Sequence, residues 1–251
     1  MPQTLLQIAK SVARRTKTIS PASSISTVVG NDELDVIYQA ILDAGQFMLE
    51  AHDWSVLRTE EPITTAASDF DYALPSDFHK FIHDTAWDQS NERQMKGSLS
   101  PQAWRWANDA TVVVGQLRKW FQIKATQGDG DNGVIEIFPT PDAVETLIYE
   151  YISENWARTT GGTPKNTMDV DTDVPRIPDH VLALGASWMA KRSESLPYID
   201  DRNDWERLLE QAIANDAPPY RVTANRDPVL RNSWSFRAQW PCNTPDGGFG
   251  Q

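Results

Sequence analysis

The sequence predicts an α+β protein, mainly α: a helical bundle drawn from both ends of the chain, an antiparallel β insertion between them, and an extended C-terminal tail. Three observations lead there. Apolar residues recur at helical spacing over residues 4–18 and 31–52, and again over 179–195 and 200–215. Between these lie short β-branched and aromatic runs punctuated by Pro and Gly, of which Val134–Phe138 and residues 145–156 are the clearest. After Pro218 and Pro219, the residues Arg, Asn, Pro, Trp and Gly follow one another without a usable period. The expected division is a helical part from residues 1–53 and 178–217, a β-rich insertion over 54–177 with a long loop at 158–177, and a docking tail over 218–251.

Each element has its own signal. Residues 4–18 place Leu5, Ile8, Ala9 and Val12 on one stripe, with cations opposite. Asn31 or Asp32 can cap a second helix, in which Leu34, Ile37, Tyr38, Ile41, Gly45 and Met48 recur up to His52. Residues 55–65 look extended, and Pro62 places them at a sheet edge because proline donates nothing to a ladder. Residues 70–81 hold a short strand, a Leu74-Pro75 turn and a return toward Trp87. Ser100-Pro101 opens a short helix to about Ala107 that carries Trp104 and Trp106. Residues 111–114 and 120–126 read as strands, and the glycine-rich 128–133 as a hairpin loop. Val134–Phe138 and residues 145–156, joined through Pro139 and Pro141, read as a hairpin in which Leu147, Tyr149 and Tyr151 alternate with Ile148 and Glu150. Asp179 caps a helix whose stripe is Val181, Leu184, Gly185, Trp188 and Met189; Trp205, Leu208, Leu209 and Ile213 mark the last one.

Composition narrows the function classes. With 251 residues, 40% apolar residues and ten tryptophans, the chain can bury a substantial core. A single Cys242 leaves no internal disulfide or cysteine metal cluster to build. No apolar run reaches the roughly 18 residues a membrane helix needs, so a soluble protein made in a reducing cytoplasm is expected. The net charge of −12 argues against a sequence-reading nucleic-acid protein. Charge is nonetheless unevenly spread: residues 1–19 hold Lys10, Arg14, Arg15 and Lys17 with no acid, and the tail holds Arg221, Arg226, Arg231 and Arg237 against two Asp. An acidic body with basic ends suggests termini that dock on acidic surfaces, so the four N-terminal cations are candidate contacts to another subunit or partner.

Catalytic and metal motifs fail on detail. His79 and His83 have no following Glu and sit in an aromatic stretch unsuited to a helix. Asp169, Asp171 and Asp173 resemble a calcium loop but lack its Gly and its terminal Glu, so they read as a polar loop before a helix cap. The glycines at 128–133 have no Lys-Ser/Thr after them, and no nucleophile elbow occurs. No cofactor, metal or catalytic residue is expected. Trp54, Trp87, Trp104, Trp106, Trp120, Trp156, Trp188 and Trp205 mostly fall on apolar stripes and are assigned to the core. Trp234, Phe236 and Trp240 lie in the tail and, with Arg221, Arg226, Arg231 and Arg237, have the composition of docking anchors.

The order of these landmarks resembles the head-to-tail adaptor, or head completion, proteins of tailed bacteriophages. The resemblance is carried by Asp53-Trp54-x-x-Leu57, Tyr72-Ala-Leu-Pro-Ser-Asp-Phe78 and Leu99-Ser-Pro-x-x-Trp104. It continues through Ile137-Phe-Pro-x-Pro141, Tyr149-Glu-Tyr-Ile152 with Trp156, and Asp171-Thr-Asp-Val-Pro175, and covers about residues 1–215. It implies a structural virion protein, not an enzyme, located in the neck and made in the host cytoplasm. Copies would form a homo-oligomeric ring, twelve-fold as the resemblance implies, beneath a portal protein and above a tail, stopper or nozzle protein. Double-stranded DNA would pass through the channel without sequence-specific binding. Two other readings stay open: another tail or neck ring component, or a small hydrolase in the β insertion.

Overall fold

Amphipathic helices built from both ends of the sequence meet on one core, and strands from its middle form a second. The computed structural model describes residues 2–17, 24–25, 32–109, 119–124 and 133–216. Five α-helices and several antiparallel sheets occur among them, so the chain is mixed α+β. The expected strand at 111–114, the loop at 128–132 and the whole tail over 218–251 lie outside the described residues.

The helices are α1 (Leu5–Thr16), α2 (Asp32–Ala51), α3 (Pro101–Asp109), α4 (Asp179–Ser193) and α5 (Ile199–Asp216). α4 is buried around its whole circumference from Val181 to Trp188 and packs against α1, α2 and α5. The sequence stripe anticipated only one face of it, and placed Met189, which is only partly buried, on that face. The close packing rests on small residues. Gly45 of α2 lies under the Trp156 ring, and Gly185 of α4 lies where a Cβ would meet Trp205 Nε1 at 2.8 Å. Asp179 does not cap α4: Pro178 holds the cap position without a side-chain bond, and the Asp179 carboxylate instead accepts from the backbone N–H of Gln3 at 2.9 Å.

The main sheet is centred on β8 (Thr146–Ser153). One edge of β8 pairs with β1 (Arg58–Thr64), from Arg58 opposite Ile152 to Thr64 opposite Thr146. Its other edge is shared by β4 (Trp87–Asp88) and β3 (Phe78–Phe81), and β5 (Arg93–Gln94) extends β4. β1 is a sheet edge, as Pro62 requires. A second sheet runs β2 (Asp71–Ala73), β7 (Val134–Phe138), β6 (Trp120–Lys124).

The expected hairpin between Val134–Phe138 and residues 145–156 is therefore incorrect. β7 and β8 lie in different sheets and share no ladder. Their alternation was a true signal of one buried face each: Ile135 and Ile137 meet Leu147, Tyr149 and Tyr151 inside a single small core with Phe81 and Phe121. Pro139 and Pro141 supply no N–H, so the connection ends pairing on one sheet and carries the chain to the other. Further along β8, Ile152 leaves that core and, with Trp156, enters the helical one.

The loop expected over 158–177 carries a small sheet of its own, in which β9 (Ala157–Arg158) pairs with β10 (Pro164–Lys165) and β11 (Val174–Pro175). Asp173 within it is 1% exposed; its carboxylate accepts from Lys165 Nζ at 2.8 Å and from the N–H groups of Asp169 and Val170. A lysine partner and two backbone donors, not solvent, absorb that charge.

Candidate assembly surfaces

α1 forms because Thr4 and Gln7 make a reciprocal capping box, Thr4 N–H donating to Gln7 Oε1 at 3.0 Å and Gln7 N–H to Thr4 Oγ1 at 3.4 Å. Its free N–H groups are also taken up from outside: Leu5 donates to the Asp173 carbonyl at 2.8 Å and Leu6 to that of Asp171 at 3.2 Å. The Asp-rich segment read as a solvated loop is thus the mount of α1. Leu5, Ile8, Ala9, Val12 and Ala13 are buried to 0% exposure, which turns the cations outward.

Arg14, Arg15 and Lys17 are exposed and Lys10 half-buried. Among the described residues none of the four has a carboxylate within 4.0 Å, and α1 contains no acid. Lys10 and Arg14 share one ridge, at i and i+4, and Lys17 follows as the left-handed C-cap residue of the helix. A groove of about 360 Å³ beside it is lined by Gln3, Gln7, Lys10, Ser11 and Arg14. Of the N-terminal cations singled out from the sequence, the structure brings Lys10 and Arg14 together; Arg15 lies off that ridge and Lys17 beyond the helix. The tail candidates Arg221, Arg226, Arg231, Trp234, Phe236, Arg237 and Trp240 lie outside the described residues.

A larger cavity, about 770 Å³, lies where α5 ends, with Trp54, Arg158, Arg176, Asp179, His180 and Asp216 in its wall. Most of its charged groups serve the fold. Arg176 donates to the carbonyls of Asn155, at 3.1 Å, and Val56; burial of its guanidinium, and Arg158 beside it, push its pKa down. Asp216 accepts from Ser55 Oγ at 2.6 Å, Ser55 N–H at 2.8 Å and His52 Nε2 at 3.1 Å. Burial alone would raise the Asp216 pKa, but the bonds from Ser55 and His52 outweigh it and hold the carboxyl below the usual range. The end of α5 is thereby tied to the end of α2.

Sequence reasoning missed Asp77, which accepts from Tyr151 OH at 2.8 Å, Ser153 Oγ at 2.5 Å and Asn155 Nδ2 at 3.1 Å. It also missed Lys119, 11% exposed, which bridges Asp88 at 2.9 Å and Glu145. Lys119 sits in no local motif, and the Tyr72–Phe78 motif that contains Asp77 does not name its partners; both partnerships join residues distant in sequence. His79, weighed as a metal ligand, lies on β3 with its Nε2 3.8 Å from Glu50. Three tryptophans assigned to the core are outside it: Trp87 is 42% and Trp106 60% exposed, and Trp120 is only partly buried.

Buried polar groups hold the elements together, while cations without an ion pair and two tryptophans are left on the described surface, the residue types of contact surfaces. A family model described as SU10 adaptor protein matches residues 3–232, and the chain belongs to that family of phage head-to-tail adaptors. It is therefore a structural phage adaptor, of the kind the sequence motifs led us to expect. No curated protein matches the chain.

Proposed function

We propose that copies of this chain form a twelve-fold ring beneath the portal, extend the DNA channel and receive the tail or its stopper. The single observation that carries this reading is the family match over nearly the whole chain. The charge balance of −12 supports it on separate physical grounds: a negative lumen repels duplex DNA and lets it slide, whereas a basic one would hold it through counterion release. The tail over 218–251 acts as the portal clasp through Arg221, Arg226, Arg231, Trp234, Phe236, Arg237 and Trp240. The protein works in the virion neck after synthesis in the host cytoplasm.

Native mass spectrometry of the chain alone and mixed with the portal ring of its own phage tests this. Addition of a full symmetric complement to the portal is the expected outcome. A ring formed by the chain alone, with no portal binding, would move the assignment to another tail or neck ring component.

A further inference from the structure

The basic ridge of α1 has no countercharge within its own copy. Lys10 and Arg14 stand on one face of a helix that contains no acid, Lys17 is exposed at its C-cap, and the groove beside the first two is lined by Gln, Ser and those two cations. Such a ridge is matched by a charged surface, not an apolar one. α5 offers that surface. It holds six carboxylates against two guanidiniums, and its last turn has no cation. Asp200, Asp204 and Glu210 are exposed along it; Asp204 pairs only with Arg207 of the same helix, and Asp200 and Glu210 are in no ion pair among the described residues. α1 and α5 both pack on α4, yet no α5 carboxylate comes within 4.0 Å of an α1 cation. Two patches of opposite sign at different places on one chain meet the requirement for a heterologous contact, in which each copy presents one patch to each neighbour and rotation closes a ring.

We infer that the α1 ridge of Lys10 and Arg14, with Lys17 at its C-cap, docks on the exposed carboxylates of α5, Asp200, Asp204 and Glu210, in the next copy of the chain. This rests on the ring reading and names the partner of the N-terminal cations: a second copy, not the portal. The contact is electrostatic and should weaken as salt rises.

The test uses a phage lacking this gene, complemented with variants of the full chain. Arg14→Glu with Lys17→Glu reverses the ridge, and Asp200→Lys with Glu210→Lys reverses its counterpart; all four sites are exposed, but three lie at helix ends where the dipole favours the native charge, so each purified variant should stay folded and unfold only several degrees below the wild type. Each pair alone should lower the copies retained per particle at least about tenfold. Joining all four changes in one chain should restore retention, as should co-expressing the two reversed forms, which then alternate around the ring. Loss with the α1 reversal only, without rescue by the α5 reversal, would overturn the inference in favour of portal docking. In a Cys242→Ser background, Arg14→Cys with Glu210→Cys should give a covalent ladder on oxidation of particles, and neither cysteine alone should. A ladder from Arg14→Cys alone would also overturn it. Wild-type particles holding a single copy would instead bring down the ring reading itself, a failure distinct from the other two.

Discussion

At Gly45 the backbone of α2 lies so close beneath the Trp156 indole that a Cβ would land on the ring. Alanine there gains helix propensity of about 1 kcal/mol but must displace a tryptophan 2% exposed in a closed core, and overpacking costs about 1–3 kcal/mol. Gly45→Ala should therefore lower the urea midpoint of unfolding; an unchanged or higher midpoint would show that Trp156 moves aside freely. The sequence placed Gly45 and Gly185 on the correct helical stripes, but nothing local names their partners, which are 111 and 20 residues away. Other residue assignments were readable and were misread. Trp104 and Trp106 are two positions apart, so one helix cannot bury both; Trp104 is buried and Trp106 faces out. Trp87 sits in a two-residue strand, too short for any period to show its side.

Among the elements, helices were more legible than strand partners. The amphipathic pattern of α1 and α2 fixes which face is buried, and the observed ends fall within two residues of those expected. α4 was only half legible: Ala183, Gly185, Ala186 and Ser187 give little contrast around the wheel, and a helix of that kind is the central one. For β7 and β8 the alternation gave the buried faces, but pairing is set by contacts that periodicity does not encode. Lys119 shows what holds the arrangement. It stands immediately before β6 and bridges Asp88 of β4 to Glu145, next to β8, so it links the second sheet to the first. Lys119→Met strands the buried Asp88 carboxylate and the partly buried Glu145 carboxylate and should cost about 3 kcal/mol at neutral pH. Burial would raise the Asp88 pKa, but the bonds from Lys119 and Asn91 hold it below its ordinary value. A carboxyl depressed in the folded state adds stability above pH of about 4 and loses it as pH falls through its lower folded pKa. The gap between wild type and Lys119→Met should thus be widest above that pH and shrink in acid. Urea unfolding at several pH values checks this, and a gap that grows on acidification would refute the role given to Asp88.

Across the whole molecule, residues 1–216 form one unit, and among the described residues both apolar cores are closed by side chains from Leu5 to Leu209. Asp216, anchored by Ser55 and His52, fixes the last turn of α5 against the end of α2, so the chain leaves the body from a set point. A chain ending at Ala217 keeps every one of those contacts and should unfold within a few degrees of the full-length protein. Losing the tail removes four arginines and five aromatics together, Trp234 and Trp240 among them, the residue types that dominate interface energetics. If the tail is the portal clasp, the truncated chain folds, keeps its α1 ridge and the exposed carboxylates of α5, and yet fails to dock on the portal. The two contacts then separate by experiment: charge reversal on α1 or α5 weakens copy-to-copy association, while truncation abolishes attachment to the portal. Isothermal titration of the truncated chain into purified portal rings decides the matter, and undiminished binding would place the clasp within residues 1–216.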